Sequence, residues 1–316
     1  MNVLVTGAFG WIGTGLVDER LRRGHRVRVF DLPSMRRRAI VTKRWRAVDA
    51  HWGDVRDFEV VRTAVENQNV IIHLACIIPP GSNSNPRLAK DVNVNGTATL
   101  IKAATALDQP PRIIYTSSFH VFGWTSHLPP PRRIGDPVQA VDPYSEHKLQ
   151  CEAMLMNSGL DWMIMRLAYV PRIGWRSPPA LLFEVPLHTR IETLHLRDVA
   201  SALTNAVDCD EAFGRILLVG GGPRCQILYG DYLDKTMKSL GLGPSFPEKA
   251  FGLKPYPTDW LDTSESQRLL QYQHHSFDDL IEETARNTRF RRPFVTMLRP
   301  LIRYAVLRSS PYLRRV

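Results

Sequence analysis

VLVTGAFGWIG, residues 3–13, is the stretch on which the reading of the fold turns. A short β-branched run ends in three glycines, Gly7, Gly10 and Gly13, spaced GxxGxxG, and an amphipathic helical pattern follows at once. The order has a physical reason. Glycine allows a tight turn and a close backbone approach to a pyrophosphate, and a helix N-terminus directs unsatisfied N–H groups at negative charge. A strand-to-helix turn often uses one or two glycines for structure alone, so the triplet needs support from elsewhere. The next strand-like run, RVRVFD, supplies it by ending at Asp31, 18 residues after Gly13. An acid there accepts hydrogen bonds from the adenosine ribose and repels a 2′-phosphate. The pattern predicts a dinucleotide site at Gly7, Gly10, Trp11, Ile12, Gly13 and Asp31, with NAD as cofactor. NADP is the alternative, because Arg36, Arg37 and Arg38 follow closely; the simpler reading of those arginines is a solvated loop.

Outward from this motif, strand-like runs (VLVTG, RVRVFD, NVIIHLA, RIIYTSS) alternate with helical patterns near residues 12–23, 57–66, 93–107 and 143–157. Such alternation predicts an α/β fold, a doubly wound Rossmann-type parallel sheet with helices on both faces. A third strand ending in WGDVRD puts Asp54 and Val55 at the adenine edge, and HLA ends the fourth with Leu74 and Ala75 beside the phosphates and ribose. Proline-rich stretches at residues 79–86 and 128–133 read as strand-end loops, where such folds hold ligands. Past Arg166 the alternation loosens, and IETLHL and RILLVGG read as further strands. The expected division is a dinucleotide-binding domain at residues 1–165 plus about 191–224, a smaller C-terminal substrate-binding cap at 166–190 plus 225–283, and a basic amphipathic tail at 284–316.

Composition narrows the partners. The net charge of +10 is concentrated: nine arginines and no acid lie from Thr284 onward, and without them 32 basic residues face 31 acidic ones. A nucleic-acid-binding domain carries its charge on the folded body, so no nucleic-acid partner is expected. Cys76, Cys151, Cys209 and Cys225 are widely spaced, in no metal-ligand or disulfide pattern, which fits a reducing cytoplasmic compartment and no metal. No leading basic-then-apolar segment and no run of 18 apolar residues is present.

The chemistry-bearing stretch is DPYSEHKLQ, residues 142–150. Asp142 suits an N-cap and Pro143 the first helical position, so Tyr144 and Lys148 stand at i and i+4 on one helical face. Upstream, RIIYTSSFHVFG ends a strand at Ser117 and Ser118, opening toward the same crevice as the glycine turn.

Together these segments resemble the extended short-chain dehydrogenase/reductase superfamily, the NAD-dependent epimerase/dehydratase group. The resemblance runs through TGAFGWIG, GDVRD, NVNGT, YTSSFHVFG, YSEHK, RLAYV, HLRDVA and LLVGGG, over roughly residues 1–225. It implies that Tyr144 is the general acid/base, that Lys148 assists it and holds the nicotinamide ribose, and that Ser118 hydrogen-bonds the substrate oxygen, with Ser117 as the substitute if the register slips by one. A free tyrosine titrates near 10; bringing it to about 7 takes about 4 kcal/mol, for which Lys148 and a positive nicotinamide have the right sign. The resemblance also implies a homodimer built on the helices near 93–107 and 143–157.

Departures from the family pattern bear on substrate. Sugar-nucleotide dehydratases carry Asp-Glu where this chain has Phe119 and His120, so water elimination is not expected. Tyr169 stands where many epimerases have asparagine, and Val92 where the family has a polar residue four before the glycine of NVNGT. The loop after HLA is apolar, Cys76 to Pro80, and only about two dozen residues separate Pro171 from HLRDVA. A nucleoside diphosphate wants arginines and backbone donors in such places. The expectation is therefore an NAD(P)-dependent oxidoreductase on a ketone or secondary alcohol, with an apolar small-molecule substrate touching Ile78, Tyr169 and His120, the alternative for His120 being a hydrogen-bonded structural residue of the strand-end loop. A sugar-nucleotide epimerase with a shortened cap and a non-catalytic cofactor-binding scaffold are the alternatives. Finally, residues 289–315 mix arginine with large apolar residues. Arg292, Arg299 and Arg303 share one helical side and Phe294, Met297, Leu298, Leu301, Ile302 and Ala305 lie mostly on the other, with Pro300 as a kink. That composition suits peripheral contact with an anionic membrane surface, or docking on the cap or a partner subunit.

Overall fold

The computed structural model describes residues 1–172 and 180–313. Its strands are β1 (Val3–Thr6), β2 (Val27–Asp31), β3 (Asp49–Trp52), β4 (Val70–His73), β5 (Arg112–Ser118), β6 (Trp162–Leu167), β7 (Arg190–Glu192), β8 (Ile216–Val219) and β9 (Gln226–Leu228). The helices begin with α1 (Trp11–Arg22), α2 (Met35–Lys43), α3 (Phe58–Val65), α4 (Gly81–Ser84), α5 (Pro86–Lys90), α6 (Gly96–Thr105) and α7 (Pro143–Met156). They continue with α8 (Leu196–Ala206), α9 (Tyr229–Ser239), α10 (Ser264–Leu270), α11 (Phe277–Thr288), α12 (Arg292–Met297) and α13 (Arg299–Leu307).

All four residues of β1 are buried, as expected of a strand covered on both faces. Seven strands line up in parallel in the order β3-β2-β1-β4-β5-β6-β8. Side chains alternate across this sheet with period two. Val3 and Val5 join Leu16 and Val17 of α1 and Val199 and Leu203 of α8 on one face. Leu4 joins Val61 of α3, Leu100 of α6 and Leu155 of α7 on the other. The doubly wound Rossmann-type sheet read from the sequence is thus what the chain forms. A third cluster, with Phe183, Tyr229, Leu233, Phe246 and Phe251, lies outside the sheet and forms the core of the smaller C-terminal part.

Several local expectations are corrected. Of IETLHL, only the first residues are extended: β7 pairs antiparallel with β9, apart from the main sheet. The chain then turns into α8 because the His195 side chain caps it, Nδ1 accepting from the Arg197 amide at 3.2 Å. The sheet position next to β5 is filled by β6, which takes Arg166 and Leu167 out of the expected cap. Part of that cap segment, residues 173–179, lies outside the described residues. Arg36–Arg38 are helical, not looped: Ser34 Oγ accepts from the Arg37 amide and starts α2. The proline-rich stretch at 79–86 runs into the short helices α4 and α5, the second capped by Asn85. At Pro300 the tail divides into two helices that meet at Leu298.

The sheet centre is tied by a polar chain. His73, at the end of β4, bonds Thr6 Oγ1 through Nδ1 at 2.6 Å and Thr97 Oγ1 through Nε2 at 3.0 Å. Burial, reinforced by the nearby Lys148 charge, pulls its pKa down to about 3. The folded protein therefore keeps this ring neutral while the unfolded chain takes up a proton near 6.5. That contribution is complete above about pH 6.5 and is lost progressively as pH falls toward 3. Denaturant titrations should show wild type losing about 2 kcal/mol more than His73→Gln between pH 7.5 and pH 5. Parallel pH slopes for the two proteins would contradict this.

Candidate active site

The strand order reverses between β1 and β4, so their C-terminal ends open a crevice. Gly7 closes β1 with φ +66°, and a Cβ built there would lie 2.7 Å from the Ala75 amide nitrogen and 2.8 Å from its Cα. A Cβ at Gly13 would meet the Gly7 carbonyl at 2.5 Å, so this glycine lets α1 start tight against the turn. Gly10 is different: it is exposed, a Cβ would meet only the Gly7 carbonyl at 3.2 Å, and α1 begins there without a side-chain cap. Trp11, Ile12 and Gly13 form the first turn behind it. The Asp31 carboxylate accepts from the Phe9 amide at 3.1 Å, fastening the glycine turn to the end of β2, and pairs with Arg37 Nη1 at 3.1 Å.

Further along the crevice, Leu74 and Ala75 both donate their amides to Thr6 Oγ1, at 3.2 and 3.3 Å. Asp54 stands past the end of β3 and is held below the usual carboxylate range by its hydrogen bond from Arg56. Val55 is buried among apolar residues of α3 and α6, and a Cβ at Gly96 would meet it at 2.6 Å. These residues fit a dinucleotide. Gly10 is exposed, α1 starts there with an uncapped N-terminus, and a carboxylate ends the neighbouring strand.

On α7 the Asp142 carboxylate accepts from the Ser145 amide at 2.7 Å and Ser145 Oγ returns the bond, a capping box with Pro143 in the first turn. Tyr144 and Lys148 are consequently one turn apart and both buried. Lys148 Nζ donates to the Thr116 carbonyl at 2.6 Å and lies 4.7 Å over the Tyr115 ring and 5.7 Å over that of Tyr144. The expected fall in the Tyr144 pKa is not found in the protein alone. Burial pushes the phenol up, and the Lys148 charge and the Ser118 hydroxyl oppose it only in part. Ser118 thus acts on the phenol, whereas the Ser117 hydroxyl is buried without a partner. His120 sits with its ring 5.8 Å from Tyr144, edge-on, and burial lowers its pKa to about 4.

Two groups escaped the sequence reading. Asn93 fills the polar place that Val92 had left open, one residue on. Its side chain accepts from the Ile77 amide at 2.7 Å and donates to the Ile77 carbonyl at 3.0 Å, clamping the loop after β4. It sits in a π-helical turn, Asp91–Asn95, just before α6. The other group is aromatic: Tyr256 approaches His120 at 5.7 Å, and Tyr232 meets the half-exposed Tyr169 at 5.9 Å. The i, i+3 spacing of Tyr229 and Tyr232 was a visible signal; nothing local pointed to Tyr256. Ile78 stays half-exposed at the lip of the loop.

A Rossmann-type sheet, a glycine turn joined to Asp31, and a serine, tyrosine and lysine gathered at one crevice define the extended short-chain dehydrogenase/reductase class. Among solved structures, the UDP-glucuronic acid 4-epimerase of Bacillus cereus, in complex with UDP-glucuronic acid and NAD, covers 92% of this chain and 99% of its own at a TM-score of 0.77 and 19% identity. Residues 4–167 match the 3-beta hydroxysteroid dehydrogenase/isomerase family, and the chain belongs to that family. Sterol demethylase protein B of Methylococcus capsulatus is 32% identical over 58% of the chain and 55% of its own length. UDP-glucose 4-epimerase 1 of Oryza sativa subsp. japonica is 30% identical over 55% and 52%. The chain spans about half the length of the curated relatives it matches.

Replacing Asn93 by Ala strips both backbone partners from Ile77. Denaturation should show a loss of about 2 kcal/mol, the order expected when polar groups away from water lose their bonds. A change below about 0.5 kcal/mol would mean that the loop holds its shape without Asn93.

Proposed function

We propose that the protein is an NAD-dependent oxidoreductase acting on an apolar ketone or secondary alcohol, with Tyr144 as general acid/base. The observation that carries this is the buried Tyr144–Lys148 pair beside Ser118, with the His120 ring edge-on to Tyr144 and Tyr256 against His120. In the reductive direction Tyr144 gives its phenolic proton to the carbonyl oxygen while the Ser118 hydroxyl donates a hydrogen bond to that oxygen. Lys148, anchored on the Thr116 carbonyl, carries the positive charge that lowers the cost of the resulting phenolate. Bound nicotinamide supplies hydride exchange. The cofactor would be held by the turn at Gly7, Gly10 and Gly13 with the start of α1, by Asp31 at the adenosine ribose, by Asp54 and Val55 at the adenine, and by Leu74 and Ala75 along the crevice.

An apolar substrate is supported by the loop Cys76–Pro80, by half-exposed Ile78, by the Tyr256 ring against His120 and by the contact of Tyr232 with Tyr169. Residues 225–283 would act as the substrate-binding cap, since Tyr232 and Tyr256 come from them. The 3-beta hydroxysteroid dehydrogenase/isomerase match points the same way. The similarity to a UDP-glucose 4-epimerase keeps epimerisation as the second reading, with the same tyrosine and a cofactor that is never released. Net consumption of added NADH with a simple apolar ketone supports the first reading; tightly retained NAD with no net consumption supports the second. We also propose a homodimer through α6 and α7, following the superfamily's habit.

Tyr144→Phe should lose about 10²–10⁴-fold in turnover while NAD binding, measured by titration calorimetry, changes little. Unchanged turnover would remove Tyr144 from the mechanism, and an inactive wild type that binds NAD would favour a scaffold. Asp31→Ser removes the repulsion of a 2′-phosphate and releases Arg37, so the NAD-to-NADP affinity ratio should fall by about tenfold or more. An unchanged ratio would show that Asp31 does not read the ribose.

A further inference from the structure

The two C-terminal helices present their faces in the opposite sense to a free amphipathic helix. Their basic side is turned inward. Arg303 donates to the carbonyls of Leu242, Pro244 and Ser245 and lies 4.8 Å over the Phe246 ring. Arg299 packs against Gly243, and Val295, Ile302, Val306 and Leu307 join the apolar cluster of the C-terminal part. What remains outside is apolar: Phe290, Phe294, Met297, Leu298, Leu301 and Tyr304 are 43% to 76% exposed. Scattered exposed apolar residues are ordinary, but six large ones within 15 residues make a patch of the kind that marks an interaction surface.

Charge decides between occupants. The stretch from Thr284 carries nine arginines and no acid; exposed Arg289 lies 4.5 Å over the Phe290 ring, Arg308 lies 5.8 Å over that of Tyr304, and exposed Arg291 follows Phe290 in the chain. A second copy placed with the same face against this one would bring its own exposed Arg289 and Arg291 against those of the first, with no acid of the stretch to offset them. An anionic lipid surface offers the complementary sign together with an apolar layer that admits Phe294 and Leu301. No helix among the described residues is long and apolar enough to cross a membrane, so the contact is peripheral.

We propose that the outward face of α12 and α13 docks on an anionic lipid surface, its apolar residues entering the headgroup boundary and the surrounding arginines pairing with lipid phosphates. This contact stands independently of the reaction proposed above.

The test is co-sedimentation of the full chain with phosphatidylcholine vesicles with and without phosphatidylserine. The wild type should bind the mixed vesicles and release in high salt. Phe294→Glu/Leu301→Glu should lower the bound fraction by about tenfold, and Arg289→Glu/Arg291→Glu should weaken binding to the serine-containing vesicles in particular. All four positions are exposed, and unchanged Tm values for the variants would show that the fold is kept. Failure of the wild type to bind, or equal binding by wild type and both variants, would overturn the proposal. So would lipid-free self-association that Phe294→Glu/Leu301→Glu abolishes, since the face would then belong to a second copy.

Discussion

The meeting of two backbones at Gly7 and Ala75 is the constraint on which the crevice depends. With φ +66° at Gly7 and no side chain there, the end of β1 lies directly against the segment leaving β4. Any Cβ would fall under 3 Å from backbone atoms, which have no rotamer with which to yield. The contact aligns everything downstream of it. Thr6, the residue before Gly7, collects the amides of Leu74 and Ala75 and bonds His73. His73 passes the register to Thr97, which bonds back to the Asn93 carbonyl, and Asn93 sets the loop after β4. One short chain of buried polar groups thus links the glycine turn to the loop beside Tyr144.

The same burial that orders the crevice opposes its chemistry. Tyr144 and Lys148 sit in nearly dry surroundings, where each charged form is penalised. For the lysine, neighbouring groups that favour a positive charge outweigh the penalty and its pKa stays raised, whereas for the tyrosine the penalty wins. The phenol therefore stays protonated in the protein by itself and is a weak acid, so the proton transfer proposed for it needs its phenolate stabilised by Lys148 and by further positive charge. In the reaction proposed above, a bound oxidised nicotinamide would supply that further charge. This asymmetry follows from residues fixed by a short capped helix and a strand end.

Legibility in the sequence followed how local each interaction was. The glycine turn and the Asp142–Pro143 start of α7 are each set within a few residues, and Asp31 follows Gly13 by one helix and one strand, so they could be read from spacing. The inner strands of the sheet announced themselves as continuous apolar runs because both of their faces are buried. IETLHL misled because its apolar period did not show that the His195 side chain stops the strand by capping α8. Arg36–Arg38 looked like loop because the apolar residues of α2 come after them: the helix starts at its Ser34 cap, and only Ile40 and Val41 pack, partly buried, against the core. Tyr256 and Tyr232 reach the site through tertiary folding alone, more than 80 residues after Tyr144, with no local pattern to reveal their neighbours.

The tail shows why composition reads a helix more easily than its orientation. A helical plot separates arginines from apolar residues but does not say which side the protein body takes. Arginine can dock on protein when carbonyls are available, because its guanidinium has five donors in a rigid fork and stacks on aromatic rings. The segment around Leu242–Phe246 provides three carbonyls and a ring, and Arg303 uses all of them. With the charge satisfied inward and Val295, Ile302 and Val306 anchoring the same side, the other apolar residues have no place left but the surface. The outward patch is thus a consequence of how the inner face is held, by Arg303 on its carbonyls and by the apolar anchors beside it.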